Sequence, residues 1–425
     1  MTFYEKSILS NGLTVVTEHV PNVRSVAIGF WVGVGSRHES LMEGGMSHFM
    51  EHMLFKGTKT RSAKDISETF ETLGAELNAF TSKEFTCFYS RLIDEHLDIG
   101  IEVLADMMQN PKFDKSHMDS EKQVVLEEIA MYEDTPDEQI HDIFTATLWP
   151  EHPLGKSVLG SNESVSGFDP KKAKTFFDEY YYPENIVVAA AGNVKHQDVL
   201  DLLNKFYVKD ADGEMDMKDI AAKTSSSVKI INKKTEQVHI CLGTAALDAR
   251  HPDRFAMSVM ENVIGGGMSS RLFQKVREEK GLAYAVFSYH SLFQETGNLA
   301  VYAGTRVNNM NEVLKIIFDE LYSIADKGIT KAELNRSREH IKGQLALGLE
   351  STRNRMTRLG KSELIHGEIL SVDELVEKVS AVDLEGIKRL AASIFDPEKM
   401  VLTVIGPITD DDLDKDMIDK EIKEA

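Results

Sequence analysis

The sequence predicts an α+β protein of two similar domains, each a mostly antiparallel sheet packed against helices. Three observations carry this. The chain of 425 residues exceeds the size at which a single core usually stops growing, so two domains of roughly 200 residues are expected. Strand-like runs such as "GLTVVTEH" and "SVAIGFWVGVGS" alternate with long stretches of helical period. The second half also repeats the order of the first. There "EQVHICLGTAAL" echoes "RSVAIGFWVGVG", and "GGGMSSRLFQKV" echoes "GGMSHFMEHMLF". Further on, "NLAVYAGTRVNNMNEVLKIIFDEL" echoes "TCFYSRLIDEHLDIGIEVLADMM". The polar, aperiodic segment over residues 209–227 reads as the linker, which sets domain boundaries of 1–215 and 226–425.

Taken in chain order, the N-terminus "MTFYEKSILSNGLTVVTEH" lacks the basic and apolar regions of a leader, so a cytoplasmic protein is expected. No run approaches the roughly 18 apolar residues of a membrane span. The net charge of −21 disfavours nucleic acid or an anionic membrane surface as partner, because both reward clustered Lys and Arg. A cationic partner suits it better. Cys87 and Cys241 each sit in an apolar, strand-like run and are expected to be buried thiols. The acidic tail "TDDDLDKDMIDKEIKEA" reads as a solvated end.

The segment "GGMSHFMEHMLFKGT" is the first with chemistry in it. At 100° per residue His48, Glu51 and His52 share one side of a helix, opposite Phe49, Met50, Met53 and Leu54. Two histidines one turn apart can direct ring nitrogens at one point, as helical zinc ligands do. A solvated polar face has the same pattern, and helical geometry alone leaves both open. In "DSEKQVVLEEIAMYEDTP", a predicted helix ending before Pro136, Glu121 and Glu128 are seven apart and share a face with Val124, Val125 and Tyr132. A carboxylate bordered by apolar residues calls for a cation or a partner. Glu128 is therefore the preferred third ligand over the more easily solvated Glu127, with Glu121 as its supporting partner. The repeat sets His48 against Ser270, His52 against Gln274 and Glu128 against Gln344.

"HFMEHMLFKGT" carries the inverted zinc motif H-x-x-E-H. With "NGLTVV", "VGVGSRHE", "GAELNAFTSKEFTCFY", "EKQVVLEEI" and "SSRLFQKVREEKGLAY", the chain resembles the pitrilysin (M16) family of zinc metallopeptidases over nearly its whole length. It is most similar to the bacterial processing-protease-like subgroup, related to the mitochondrial processing peptidase β subunit. The resemblance implies one Zn2+ per chain, held by His48, His52 and Glu128, with Glu121 behind the ligands and Glu51 as general base. It implies that Arg277 and Tyr284 of the second domain help hold a peptide. It also implies that "NAFT", with Asn78, Ala79 and Phe80, is the edge strand on which that peptide lies. The expected activity is endopeptidase cleavage of extended or unfolded peptides, with basic sites suggested by the acidic balance. A homodimer, each chain forming half of a clamshell, is the implied assembly. The competing expectation is a catalytically silent structural or partner-binding subunit of the same fold.

Overall fold

The computed structural model describes residues 3–209 and 222–422, so most of the linker lies outside the described residues. The chain forms two units. Residues 1–130, 156–219 and 347–369 group together, as do residues 131–155, 220–346 and 370–425.

The first unit holds a six-stranded sheet in the order β1-β2-β6-β3-β5-β4. Its strands are β1 (Glu5–Ile8), β2 (Thr14–His19), β3 (Ser25–Val32), β4 (Glu76–Thr81), β5 (Thr86–Ile93) and β6 (Ile186–Gly192). Only β2 and β6 run parallel; the other neighbours are antiparallel. Helices α1 (Met46–Leu54) and α2 (Ala63–Thr72) separate β3 from β4, while α3 (Leu97–Gln109) and α4 (Lys115–Glu133) follow β5. The next helix, α5 (Pro136–Leu148), belongs to the second unit; α6 (Asn162–Ser166), α7 (Pro170–Tyr180) and α8 (His196–Phe206) return to the first.

In the second unit the strands are β7 (Ser227–Asn232), β8 (Val238–Ala246), β9 (Ala283–Leu292), β10 (Gly297–Thr305) and β11 (Val401–Gly406), in the order β7-β11-β8-β10-β9. This is the first sheet without β1, down to the single parallel pair, here β7 with β11. Helix α9 (Arg254–Ile264) and a π-helix (Phe273–Glu279) stand between β8 and β9, and α10 (Met310–Lys327) and α11 (Lys331–Gly348) follow β10. The duplication seen in the sequence is thus a repeated topology.

Each unit borrows one helix from the other half of the chain, so a cut at the linker alone does not separate the two groups of residues. The reason is visible in β3, "SVAIGFWV", which is apolar at nearly every position instead of alternating. Such a strand needs cover on both faces. Val26, Ile28, Phe30 and Val32 join the core under α1 and α3. The other face packs against α12 (Thr352–Lys361), where the Trp31 indole Nε1 lies 3.3 Å from the Met356 sulfur. Gly360 of α12 has no side chain because a Cβ there would come within 2.3 Å of the Trp31 ring. In the second unit α5 does the same work: Ile140, Phe144 and Leu148 pack with Cys241, Ala300, Tyr302, Val401 and Ile405. Both cysteines are buried free thiols, as expected. The acidic tail departs from its reading as a solvated end, because Leu413, Ile418 and Ile422 are buried in the second core.

Candidate metal centre

Helix α1 begins at Gly45, whose φ of +88° is one L side chains rarely adopt; a Cβ there would also meet the Leu159 carbonyl oxygen at 2.5 Å. The helix N-terminus is capped from a distance. Glu39, buried and six residues upstream of Gly45, accepts hydrogen bonds from the Gly45 and Ser47 amides, each at 2.7 Å. Two of the orphan amides of the first turn are satisfied in this way. Burial pushes the Glu39 carboxyl up to about 7. Met46, Ser47, Phe49, Met50, Met53 and Leu54 are buried, which turns His48, Glu51 and His52 to the opposite side.

Glu128 of α4 meets that side. Its Oε2 lies 3.6 Å from the Nε2 of His48 and 3.6 Å from the Nε2 of His52. The candidate ligand atoms of the three residues all lie within 4.8 Å of one another, and among the described residues this is the one such group of three. The neighbouring Glu127 is exposed. The His52 Nδ1 lies 3.1 Å from Glu121 Oε2, and Lys56 places its ammonium 2.6 Å from the other oxygen of that carboxylate. That contact leaves Nε2 of His52 free to ligate and fixes the ring's orientation. The Nδ1 of His48 is buried with no hydrogen-bond partner. Burial, reinforced by His52, lowers the His48 pKa to about 4, so the ring is neutral at pH 7. Two imidazoles and a carboxylate around one point fit a tetrahedral cation with one position to spare. The Glu128 side chain is 37% exposed, so the cluster has an open side.

Glu51 shares the α1 face but does not belong to the ligand group. Burial raises its pKa, partly offset by a hydrogen bond donated from Thr81 Oγ1 to Oε2 at 2.5 Å. Thr81 is the last residue of β4, and β4 is an edge strand of its sheet. Asn78 is exposed, Ala79 and Phe80 are half-buried, and Phe80 lies edge-on to Trp31 with ring centres 5.5 Å apart. A groove of about 580 Å³ adjoins the strand, lined by Phe55, Phe70, Leu77, Asn78, Tyr89 and Arg353 of α12.

Comparison with known proteins decides the family. Residues 14–162 match the model of insulinase (peptidase family M16), and residues 167–341 match that of the peptidase M16 inactive domain. The uncharacterized zinc protease YmxG of Bacillus subtilis is 43% identical over 398 residues, covering 93% of this chain and 97% of that protein. An uncharacterized zinc protease of Streptomyces coelicolor is 40% identical, covering 95% of this chain and 90% of its own. The chain belongs to peptidase family M16. A solved protease from Helicobacter pylori shares the M16 fold with a TM-score of 0.89 at 23% identity, covering 95% of this chain and 99% of its own.

The M16 inactive domain holds Arg277, on the π-helix, and Tyr284, on β9. They pair with each other: the guanidinium donates to the Tyr284 carbonyl at 3.0 Å and lies 4.5 Å from the centre of its ring. Tyr284 is 78% exposed.

The repeat itself needs a correction. By element order the counterpart of α1 is α9, and "GGGMSSRLFQKV" instead occupies the place of α2. The buried positions of α9 are Ala256, Met257, Val259, Met260, Val263 and Ile264, spaced as the buried positions of α1 are. His48 therefore matches Ser258, Glu51 matches Glu261 and His52 matches Asn262. The paired glycines before each motif favoured the wrong match, since they mark a turn in both places but not the same turn. Glu261 keeps a hydroxyl partner, Ser288 Oγ of β9 at 2.8 Å, and burial raises its carboxyl to about 7.

Sequence reasoning missed Glu39 and Lys56 as parts of this neighbourhood, and it set Thr81 on the edge strand without its bond to Glu51. Glu39 and Thr81 reach α1 only through the fold. For Lys56, its place four residues after His52, one turn further along the same face, was an available signal.

Proposed function

We propose that this chain is a zinc-dependent endopeptidase acting on extended or unfolded peptides. The observation that carries it is the convergence of His48, His52 and Glu128 on one point with Glu51 beside them, in a chain whose relatives are named zinc proteases. One Zn2+ per chain at these atoms would polarise a scissile carbonyl and bring the pKa of a water to about 7. Glu51, outside the ligand set and held by Thr81, accepts a proton and returns it to the leaving amine. Glu121 orients His52, and Lys56 in turn pairs with Glu121.

The substrate backbone adds as a further strand to β4 along Asn78, Ala79 and Phe80, with side chains entering the groove on either side. That mode favours unfolded segments. Arg277 and Tyr284, contributed by the second domain of 226–425, supply charge-assisted and phenolic hydrogen bonds to the peptide. Basic residues near the cleavage site accord with the net charge of −21. Pairing of two chains and a cytoplasmic setting belong to the same proposal, the former checked by sedimentation.

The deciding experiment compares Glu51→Gln with the wild type. The variant should bind stoichiometric zinc yet lose peptide hydrolysis, and chelation should silence the wild type. A wild-type protein that binds no zinc, or a Glu51→Gln variant that retains full turnover, would sink the proposal.

A further inference from the structure

We infer that Thr81 is a positioning residue for Glu51, coupling the addition of a peptide strand at β4 to the orientation of the base. The inference rests on the proposed role of β4 as the substrate edge. Among the described residues, Thr81 is the one side chain hydrogen-bonded to Glu51. It holds Oε2, and no described residue donates a hydrogen bond to Oε1. The terminal torsion of a glutamate is soft, with broad wells in place of three sharp ones. A single donor on one oxygen therefore decides where the other points.

The donor sits on a strand with one free edge. Thr81 pairs with Thr86 of β5 on its inner side, and among the described residues β4 has no partner on its outer side. A peptide paired along the outer side would immobilise the backbone that carries Oγ1, and with it the carboxylate. Binding energy from residues remote from the scissile bond would then appear in kcat as well as KM. From Glu76 to Thr81 the strand spans roughly 17 Å at about 3.3 Å per residue, so only a peptide several residues longer than the reacting dipeptide can engage it all.

The second unit supplies an internal control. Ser288 on the edge strand β9 makes a like contact with the carboxylate of Glu261, the counterpart of Glu51, and lies 2.8 Å from the Glu261 carbonyl as well, where the histidines are replaced by Ser258 and Asn262. The fold thus brings an edge-strand hydroxyl to a helix carboxylate twice. Any purely structural value of that contact should show at both places.

The test uses the full-length zinc-loaded protein and three peptides with one scissile sequence: a short one, one long enough to span β4, and the long one N-methylated at alternate backbone positions. Zinc content and melting temperature are recorded for each variant. In the wild type kcat should rise about tenfold from the short to the long peptide, a part of the roughly 10²–10⁴-fold that a positioned acid–base group contributes, and N-methylation should abolish the rise. Thr81→Val should remove the rise, holding kcat for the long peptide at or below the wild-type short-peptide value, while zinc content stays within about twofold; Thr81→Ser, which keeps the donor, should restore the rise. Ser288→Ala should change the melting temperature as Thr81→Val does, without touching either kcat. A Thr81→Val variant that keeps the full length dependence, or that loses kcat equally on both peptides without rescue by Ser, overturns the coupling and leaves β4 as the substrate edge. If N-methylation changes neither kcat nor KM of the wild type, the substrate edge itself is refuted, and the coupling falls with it.

Discussion

Removing the Glu121 carboxylate should weaken metal binding by a predictable amount. Glu121 is only 6% exposed; one oxygen accepts from His52 Nδ1 at 3.1 Å and the other lies 2.6 Å from the Lys56 ammonium. A hydrogen bond with one charged partner is worth roughly 1.5–3 kcal/mol. Partners behind metal ligands typically contribute about 10–100-fold in affinity, or about 1.4–2.7 kcal/mol. The two figures agree. Part of the loss is offset, because the Lys56 side chain is 33% exposed and can return to water. Glu121→Gln retains an acceptor for Nδ1–H but not its charge, so it should raise the zinc Kd about tenfold; Glu121→Ala should come nearer the upper limit. Competition against a chromogenic chelator, with circular dichroism to check folding, measures both. A Kd within about twofold of wild type for both folded variants would refute the argument that this carboxylate tunes His52.

Met356→Ala, which opens a cavity against Trp31 on the outer face of the first sheet, should cost about 2–5 kcal/mol in denaturant unfolding; a loss below about 1 would mean that α12 contributes little there. A fragment of residues 1–215 lacks α12 and should not unfold cooperatively, whereas adding a peptide of residues 347–369 should restore a transition; a cooperative melt of the fragment alone contradicts this. Glu261 has a folded-state pKa raised to about 7, so the wild type gains stability from it at low pH and loses that stability as pH rises from about 4.5 to 7. Glu261→Gln cannot titrate, and its stability relative to wild type should rise by roughly 3 kcal/mol over that window. A flat difference between pH 4.5 and 7.5 would show that the carboxyl titrates normally.

Much of the candidate site was legible because its elements are local. The period of α1 sorts His48, Glu51 and His52 from Phe49, Met50, Met53 and Leu54 within nine residues. The seven-residue spacing of Glu121 and Glu128 likewise sets both on one face of α4. What spacing could not supply was the pairing across elements. Val124, expected beside those carboxylates on an apolar face, is 43% exposed, while Val125 is buried. The internal repeat was legible as an order of strands and helices. The match of α1 was misplaced, because a glycine pair resembles another glycine pair more closely than Ser258, Glu261 and Asn262 resemble a metal motif.

By itself the sequence determined the strands, the helices, their duplicated order and the side of α1 on which the polar triad stands, since each is written in periodicities of two or 3.6 residues. Tertiary structure alone decided that Glu39 caps α1, that Thr81 reaches Glu51, and that α5 and α12 each cover a sheet of the other half. It also buried Ile418 and Ile422 in a tail whose charges read as solvated. Glu39 apart, which lies six residues before Gly45, these contacts join residues tens to hundreds of positions apart, and which partners meet is set by the packing of whole faces, a quantity that no local window of sequence contains.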